Sequence, residues 1–244
     1  MADRQTDQAD SGSLFATEKA VGLYTDRVQD PTLFPQEREA VDRYFTEDGA
    51  SVLDIGCGAG RVSHLLDERG FDVTGIDVSE PLVERARSLF PEVDFYVADI
   101  RDPPFEARSF NYAVFSFFGL DYVVPQPERA NALRQIRCVL KPSGILVFSS
   151  HNSWHPLVPL SGSDLHYVVA DVRDLYLSEK NRDRLASPYK IESVPLGEVE
   201  IYLSNPVRQW LELRKQGFTP VDVVGKRDDV LRFFERDPHY VAKK

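Results

Sequence analysis

The 244-residue chain is poor in several chemically specialised residues: two cysteines, one methionine, two tryptophans and eight lysines against 21 arginines. Cys57 and Cys138 cannot build a disulfide framework, and the simpler expectation is a reducing, cytoplasmic setting. No apolar run approaches the roughly 18–20 residues of a membrane span, so no membrane partner is expected. Met1 to Ser13 is polar and acidic and lacks the apolar core of a signal peptide. Residues 1–13 therefore read as a disordered tail. Positive charge is also scarce. The net charge is −10, and no run of basic residues is longer than two. Nucleic-acid surfaces need phosphate-neutralising patches, which predicts no nucleic-acid partner here. An excess of 23 Asp and 16 Glu over few lysines is what a high-salt medium favours, because salt screens the self-repulsion.

A hydrophobic content of 42% over this length allows one large α/β domain with a substantial core. The most informative stretch is Val52-Leu53-Asp54-Ile55-Gly56-Cys57-Gly58-Ala59-Gly60-Arg61. Alternating apolar residues lead into three glycines at every second position. Val62, Leu65 and Leu66 then fall on one helix face, which Gly70 can close. The pattern predicts strand, tight turn and helix N-terminus. Glycine belongs there where the backbone needs positive φ or where a ligand presses on bare backbone. A helix N-terminus also offers unpaired N–H groups to that ligand.

Strands are predicted at 51–55, 71–77, 93–98, 112–117 and 145–149, with helices at 36–45, after Ser79, and at 127–140. Alternation of this kind implies parallel βαβ units with helices on both faces. The second half is less regular. It suggests a helix at 163–177, a hairpin of 191–194 and 199–203, a helix from Asn205 to Gln216, a strand at 220–225 and a last short strand at 239–242.

Asp77 lies 21 residues after Gly56, which suits a ribose-binding acid. Arg61, however, occupies the third-glycine position of a dinucleotide fingerprint. Asp54, two residues before the first glycine, would repel a pyrophosphate and favour a cation. An adenosyl ligand with a sulfonium and an ammonium fits better than NAD.

Val52–Arg61 resembles motif I of the class I S-adenosylmethionine-dependent methyltransferases. Asp77, Asp99-Ile100, the run from Phe105 to Val114 and Leu140-Lys141-Pro142-Ser143-Gly144 resemble further motifs of that family in the right order. The resemblance covers about 38–244. It implies a three-layer, Rossmann-like α/β fold: a seven-stranded, mostly parallel sheet with an antiparallel last strand and helices on both faces. Residues 14–244 would form one domain, with 153–204 covering the acceptor side. The implied cofactor is S-adenosyl-L-methionine, held by Asp54, Gly56, Cys57, Gly58, Gly60, Asp77, Val78, Asp99, Ile100, Phe115 and Ser116. Tyr24 and Arg38 would reach its methionine end, Arg38 by pairing the carboxylate. Asp102-Pro103-Pro104-Phe105 resembles a motif of nucleic-acid amino-methyltransferases but follows the third strand instead of the fourth, so it does not support base methylation.

Ligands in open α/β sheets bind beyond the carboxyl ends of the strands, which puts 118–122 and 149–155 on the acceptor side. His151 is the preferred general base because histidine titrates near neutrality, with Asp121 second. No metal site is expected: His151 and His155 have i,i+4 spacing, but Pro156 argues against a helix there. Phe117, Phe118, Tyr122, Trp154 and Tyr202 would line a pocket for a partly apolar or aromatic small molecule, methylated on oxygen or nitrogen by a monomer or homodimer. The competing expectations are a non-catalytic S-adenosylmethionine-binding regulator and an NAD-dependent oxidoreductase.

Overall fold

Strand β1 (Ser51–Ile55) sends Val52 to one face of a sheet and Leu53 and Ile55 to the other, the period-2 alternation of a strand buried on both sides. The computed structural model describes residues 14–29, 31–157, 162–184 and 186–244. The tail expected at 1–13 lies outside the described residues. Around β1, strands β2 (Asp72–Asp77), β3 (Asp94–Val97), β4 (Phe110–Phe115), β5 (Leu140–Ser149), β8 (Thr219–Val224) and β9 (His239–Lys243) complete a sheet of order β3-β2-β1-β4-β5-β9-β8. The pairs from β3 through β5 are parallel, and β9 runs antiparallel to both β5 and β8. This is the seven-stranded Rossmann-like architecture expected from the sequence.

One face carries α1 (Glu18–Asp26), α2 (Pro35–Tyr44), α3 (Arg61–Asp67) and α4 (Glu80–Leu89), which bury Val41, Val62, Leu66, Leu82 and Val83 with Val52 and Val114. The other face carries α5 (Gln126–Val139), which buries Leu133 and Ile136 against Leu53 and Leu146, and a later helix that supplies Leu213. Caps fix where several helices begin. Thr17 accepts the Ala20 N–H ahead of α1. Glu37 reaches back to accept the Phe34 N–H ahead of α2, with Pro35 at the first helical position. Among the described residues no helix is long and apolar enough to cross a membrane.

Three expected boundaries move. Strand β4 starts at Phe110 and ends at Phe115, because Phe117 and Phe118 turn the chain with φ of 52° and 62°. Strand β5 starts at Leu140, paired to Phe110 before a register shift. The helix expected at 163–177 is α6 (Gly162–Asp171) followed by a π-helical turn, Val172–Leu177. The hairpin, β6 (Tyr189–Val194) and β7 (Gly197–Tyr202), pairs Ile191 with Glu200 and stands apart from the main sheet. It leads to α7 (Pro206–Lys215), capped by Asn205.

Gly60 caps α3 at φ 91°, and an added Cβ would stand 2.9 Å from the Phe90 ring and 3.0 Å from the Phe95 ring. Left-handed strain and overpacking then act together. Gly60→Ala should lose about 2–4 kcal/mol in urea unfolding, whereas Gly49→Ala, with open space around it, should lose only the strain component.

Candidate functional site

The three glycines of the turn hold φ of 65°, 54° and 91°. The turn is pinned from outside: the Cys57 N–H donates to the Ile76 carbonyl at 3.0 Å, and the Gly58 N–H donates to Asp77 Oδ2 at 2.9 Å. The other oxygen of Asp77 accepts the Ser79 N–H at 2.9 Å, at the start of α4. Asp77 thus bridges the turn and the next helix, and its carboxylate keeps lone-pair capacity for a ligand. Burial raises its pKa against those backbone hydrogen bonds.

Beyond the carboxyl ends of β1, β2 and β4 lies a cavity of about 750 Å³. Tyr24, Gly56, Gly58, Asp77, Val78, Asp99, Ile100, Phe115 and Ser116 all line it. Bare backbone is needed at the turn: a Cβ on Gly56 would lie 3.0 Å from Phe115, and one on Gly58 would lie 3.4 Å from Tyr24. Asp99 already accepts from the Arg101 backbone at 2.8 Å and from the Arg101 guanidinium at 2.8 and 2.5 Å. Burial would raise its carboxyl, but Arg101 outweighs this and holds it below the usual range. A ligand amine at Asp99 must share the carboxylate with Arg101.

A second, adjoining cavity of about 40 Å³ touches Asp54 and Cys57, together with Arg27, Arg61 and Ser116. Asp54 is buried beside the Ser63 hydroxyl, which donates to it at 2.6 Å, and desolvation pushes its carboxyl up to about 7. Burial also pushes the Cys57 thiol well up.

The smaller cavity rests on a carboxylate that sequence reasoning missed. Glu37 is 2% exposed. It receives the Arg61 guanidinium on both oxygens, at 2.8 and 2.9 Å, and the Ser116 hydroxyl as well. Burial alone would raise its pKa, but the Arg61 hydrogen bonds and charge bring it below the usual carboxylate range. The available signal was Arg61 itself: an arginine directly after a buried glycine turn needs an anionic partner.

Several expected roles change. Arg38 is exposed and lines neither cavity, because α2 buries Gln36, Glu37, Ala40 and Val41 and so turns Arg38 outward. The cation beside the turn is instead Arg27, stacked 4.1 Å over Phe117 and 5.2 Å over Tyr24. Gly60 faces Phe90 and Phe95 rather than a cavity. Of the expected acceptor-side aromatics, Phe117 and Tyr122 line the large cavity, joined by Phe15, Ile191 and Val199. Phe118 stacks on His151, Trp154 on Phe234, and Tyr202 lies under Arg129.

The expected bases are not placed to accept a proton. His151 is 5% exposed, with Nδ1 3.0 Å from Asp121 and Nε2 3.4 Å from Glu192. Burial lowers its pKa, but hydrogen bonds and charge from the two carboxylates outweigh this and push it up to about 9. At neutral pH it is an imidazolium with no free lone pair. Asp121 accepts from Arg129 at 3.1 Å, from the Ser150 hydroxyl at 2.9 Å and from the His151 backbone at 2.7 Å. Neither lines either of the two cavities described above.

Residues 52–144 match a family model described as a methyltransferase domain. The chain is 32% identical over 173 residues to the demethylmenaquinone methyltransferase of Paenarthrobacter aurescens, covering 71% of this chain and 61% of that protein. It is 30% identical over 122 residues to the ubiquinone biosynthesis O-methyltransferase of Coxiella burnetii, covering 48% and 50%. The chain thus spans about half to three fifths of the length of these two relatives. A crystal structure of the Burkholderia thailandensis 1,6-didemethyltoxoflavin-N1-methyltransferase, with 1,6-didemethyltoxoflavin and S-adenosylhomocysteine bound, has the same fold. Its TM-score is 0.62 at 19% identity, covering 100% of this chain and 93% of that one.

Removing one partner of a buried ion pair strands the other, at a cost of about 3–5 kcal/mol. Arg61→Met should show that loss in urea unfolding at pH 7. Adding Glu37→Leu should recover part of it, because the stranded carboxylate is then gone.

Proposed function

We propose that the chain, whose residues 52–144 match a methyltransferase-domain model and which is 32% identical over 173 residues to a methyltransferase, is a class I S-adenosylmethionine-dependent methyltransferase that transfers the methyl group to an oxygen or nitrogen of a small, partly apolar or aromatic molecule. The observation that carries this reading is the large cavity. It runs without a break from Gly56, Asp77 and Asp99 to Tyr122, Ile191 and Val199, and about 750 Å³ is within the range of ligand sites. One end suits an adenosyl group and the other an apolar acceptor.

The bound cofactor supplies a methyl group on a sulfonium, already activated for in-line displacement. The lone pairs left on Asp77 take the ribose hydroxyls, and Ile100 and Val78 offer apolar contact to the base. Arg27 takes the methionine carboxylate in place of Arg38. Phe117 and Tyr122 flank the path between the two ends and exclude water from it. Aligning nucleophile and methyl is the main contribution open to the protein, since among the described residues no histidine, cysteine or lysine lines the large cavity. The acceptor loses its proton to solvent or to a lining carboxylate of the hairpin, Glu198 or Glu200, or reacts through a lone pair it already has.

The relatives named above support a small-molecule acceptor and differ in the atom their names give, oxygen in one and N1 in another. An assay with labelled S-adenosylmethionine and a fractionated metabolite extract tests the proposal: label should move into a small organic product. Tight cofactor binding with no transfer to any fraction would favour a regulator, and binding of NAD instead of S-adenosylhomocysteine would refute the cofactor assignment.

Calorimetry with S-adenosylhomocysteine separates the binding residues. A hydrogen bond to a charged group contributes about 1.5–3 kcal/mol, so Asp77→Asn should weaken binding roughly 10- to 150-fold. Arg27→Gln should weaken it about tenfold or more, and Arg38→Gln should leave it unchanged.

A further inference from the structure

His151 follows β5 by two residues, and its side chain meets groups from two separate parts of the chain. On one side is Asp121, in the turn after β4, which Arg129 and Ser150 hold in place. On the other is Glu192, on β6 of the hairpin. The ring also stacks on Phe118 at 4.0 Å, with the planes 24° apart. The neighbours of Glu192 on the hairpin line the large cavity: Ile191 on the same strand, and Val199 and Glu200 on its partner.

We propose that His151 is a positioning residue: as an imidazolium it clasps Asp121 to Glu192 and so holds the β6–β7 hairpin over the acceptor end of the cavity.

The charges around the ring require the proton. Three carboxyl side chains, Asp121, Glu192 and Glu212, gather in this part of the interior, and Arg129 is the buried cation that pairs with the first and last of them. The Arg236 charge also reaches Glu192, and the Tyr122 phenol sits beside Glu192 with its own ionisation suppressed by burial and by that carboxylate. A neutral ring would leave Asp121 and Glu192 facing each other with one cation fewer between them. One oxygen of Glu192 goes to His151, and the other is buried without a hydrogen-bond partner, so the clasp is the contact that compensates this carboxylate from the sheet side. Its sign with pH follows from the raised pKa of about 9. The clasp is complete below the ordinary histidine value of about 6.5, and it is lost as pH rises through about 9.

The consequence for acceptor binding rests on the proposed function, but the clasp itself is tested without any acceptor. Hydrogen exchange followed by mass spectrometry on the full, ligand-free chain, corrected for intrinsic exchange, compares the hairpin amides of 189–202 with those of β5. In the unmutated protein, hairpin protection should fall at least tenfold between pH 7.5 and 10.5 while β5 keeps its own. Glu192→Gln retains shape but not charge. It should expose the hairpin at least tenfold already at pH 7.5 and shift the His151 imidazole NMR titration, assigned with His151→Gln, down by at least one pH unit. A hairpin whose protection stays flat from pH 7.5 to 10.5 would overturn the clasp, as would a His151 midpoint near 6.5 in the unmutated protein or one unmoved by Glu192→Gln. Because the first measurement needs no variant, misfolding of Glu192→Gln cannot rescue or hide the result. If the clasp fails while labelled methyl still moves, only the positioning role is lost.

Discussion

The pairing of Glu37 with Arg61 fixes the geometry on which the whole site depends. Arg61 is the first residue of α3 and directly follows the last glycine of the turn. Its guanidinium also donates to the Thr32 carbonyl at 2.7 Å and lies 4.5 Å over the Phe34 ring. Glu37 in turn takes the Phe34 N–H and the Ser116 hydroxyl. One carboxylate therefore ties the start of α2, the glycine turn and the end of β4 to a common point. Buried ion pairs of this kind contribute little net stability over apolar packing of the same volume. What this one contributes is position, because from the start of α2 it holds the glycine turn and the end of β4, which line the two cavities.

A second constraint follows from burying so many acids near a cavity. Asp54, next to last in β1, and Asp77, last in β2, lie on adjacent strands, and neither has a buried cation as its main partner. Ser63 answers Asp54, and backbone N–H groups answer Asp77. Both carboxyls are therefore raised by burial, Asp54 to about 7. Such a site stores unsatisfied negative potential, which a ligand bearing a sulfonium and an ammonium relieves and a pyrophosphate would worsen. This favours the cationic adenosyl ligand proposed for the turn. Asp99 differs because Arg101 neutralises it locally, leaving it a polar contact and not a source of field.

The parts of the fold legible in the sequence were those specified locally. Strands β1 and β2 and the turn between β1 and α3 follow from alternation, from glycine and from acids at strand ends, and they fall within a residue of expectation. The misses come from tertiary context. Helix α1 buries only Ala20 among its described residues, so it carries no apolar stripe to announce it, and Arg27 went unnoticed. Arg38 looked suitable by sequence position, but helix geometry turned it away from the site. Nothing local marks Phe117 and Phe118 for positive φ, because phenylalanine disfavours it. The reading of His151 as a base rested on its ordinary pKa, and that changed because Glu192, 41 residues later in sequence, folds back onto it.

This last correction alters what the acceptor side can do. A base must be able to take a proton, and His151 at neutral pH already has both, while Asp121 spends its oxygens on Arg129, Ser150 and His151. The network instead packs against the two phenylalanines that follow β4. Two consecutive phenylalanines in the left-handed region carry a strain on the order of 1–3 kcal/mol each. That conformation persists because Ser149 accepts the Phe118 N–H at 2.8 Å and His151 stacks on the Phe118 ring. Holding Phe118 down leaves Phe117 to project between the two cavities, against Tyr24 and Arg27. The polar groups beneath the acceptor end thus act through shape, and for methyl transfer from a sulfonium shape is where a protein has most to contribute: the electrophile is already activated, and the remaining barrier is alignment and the exclusion of water.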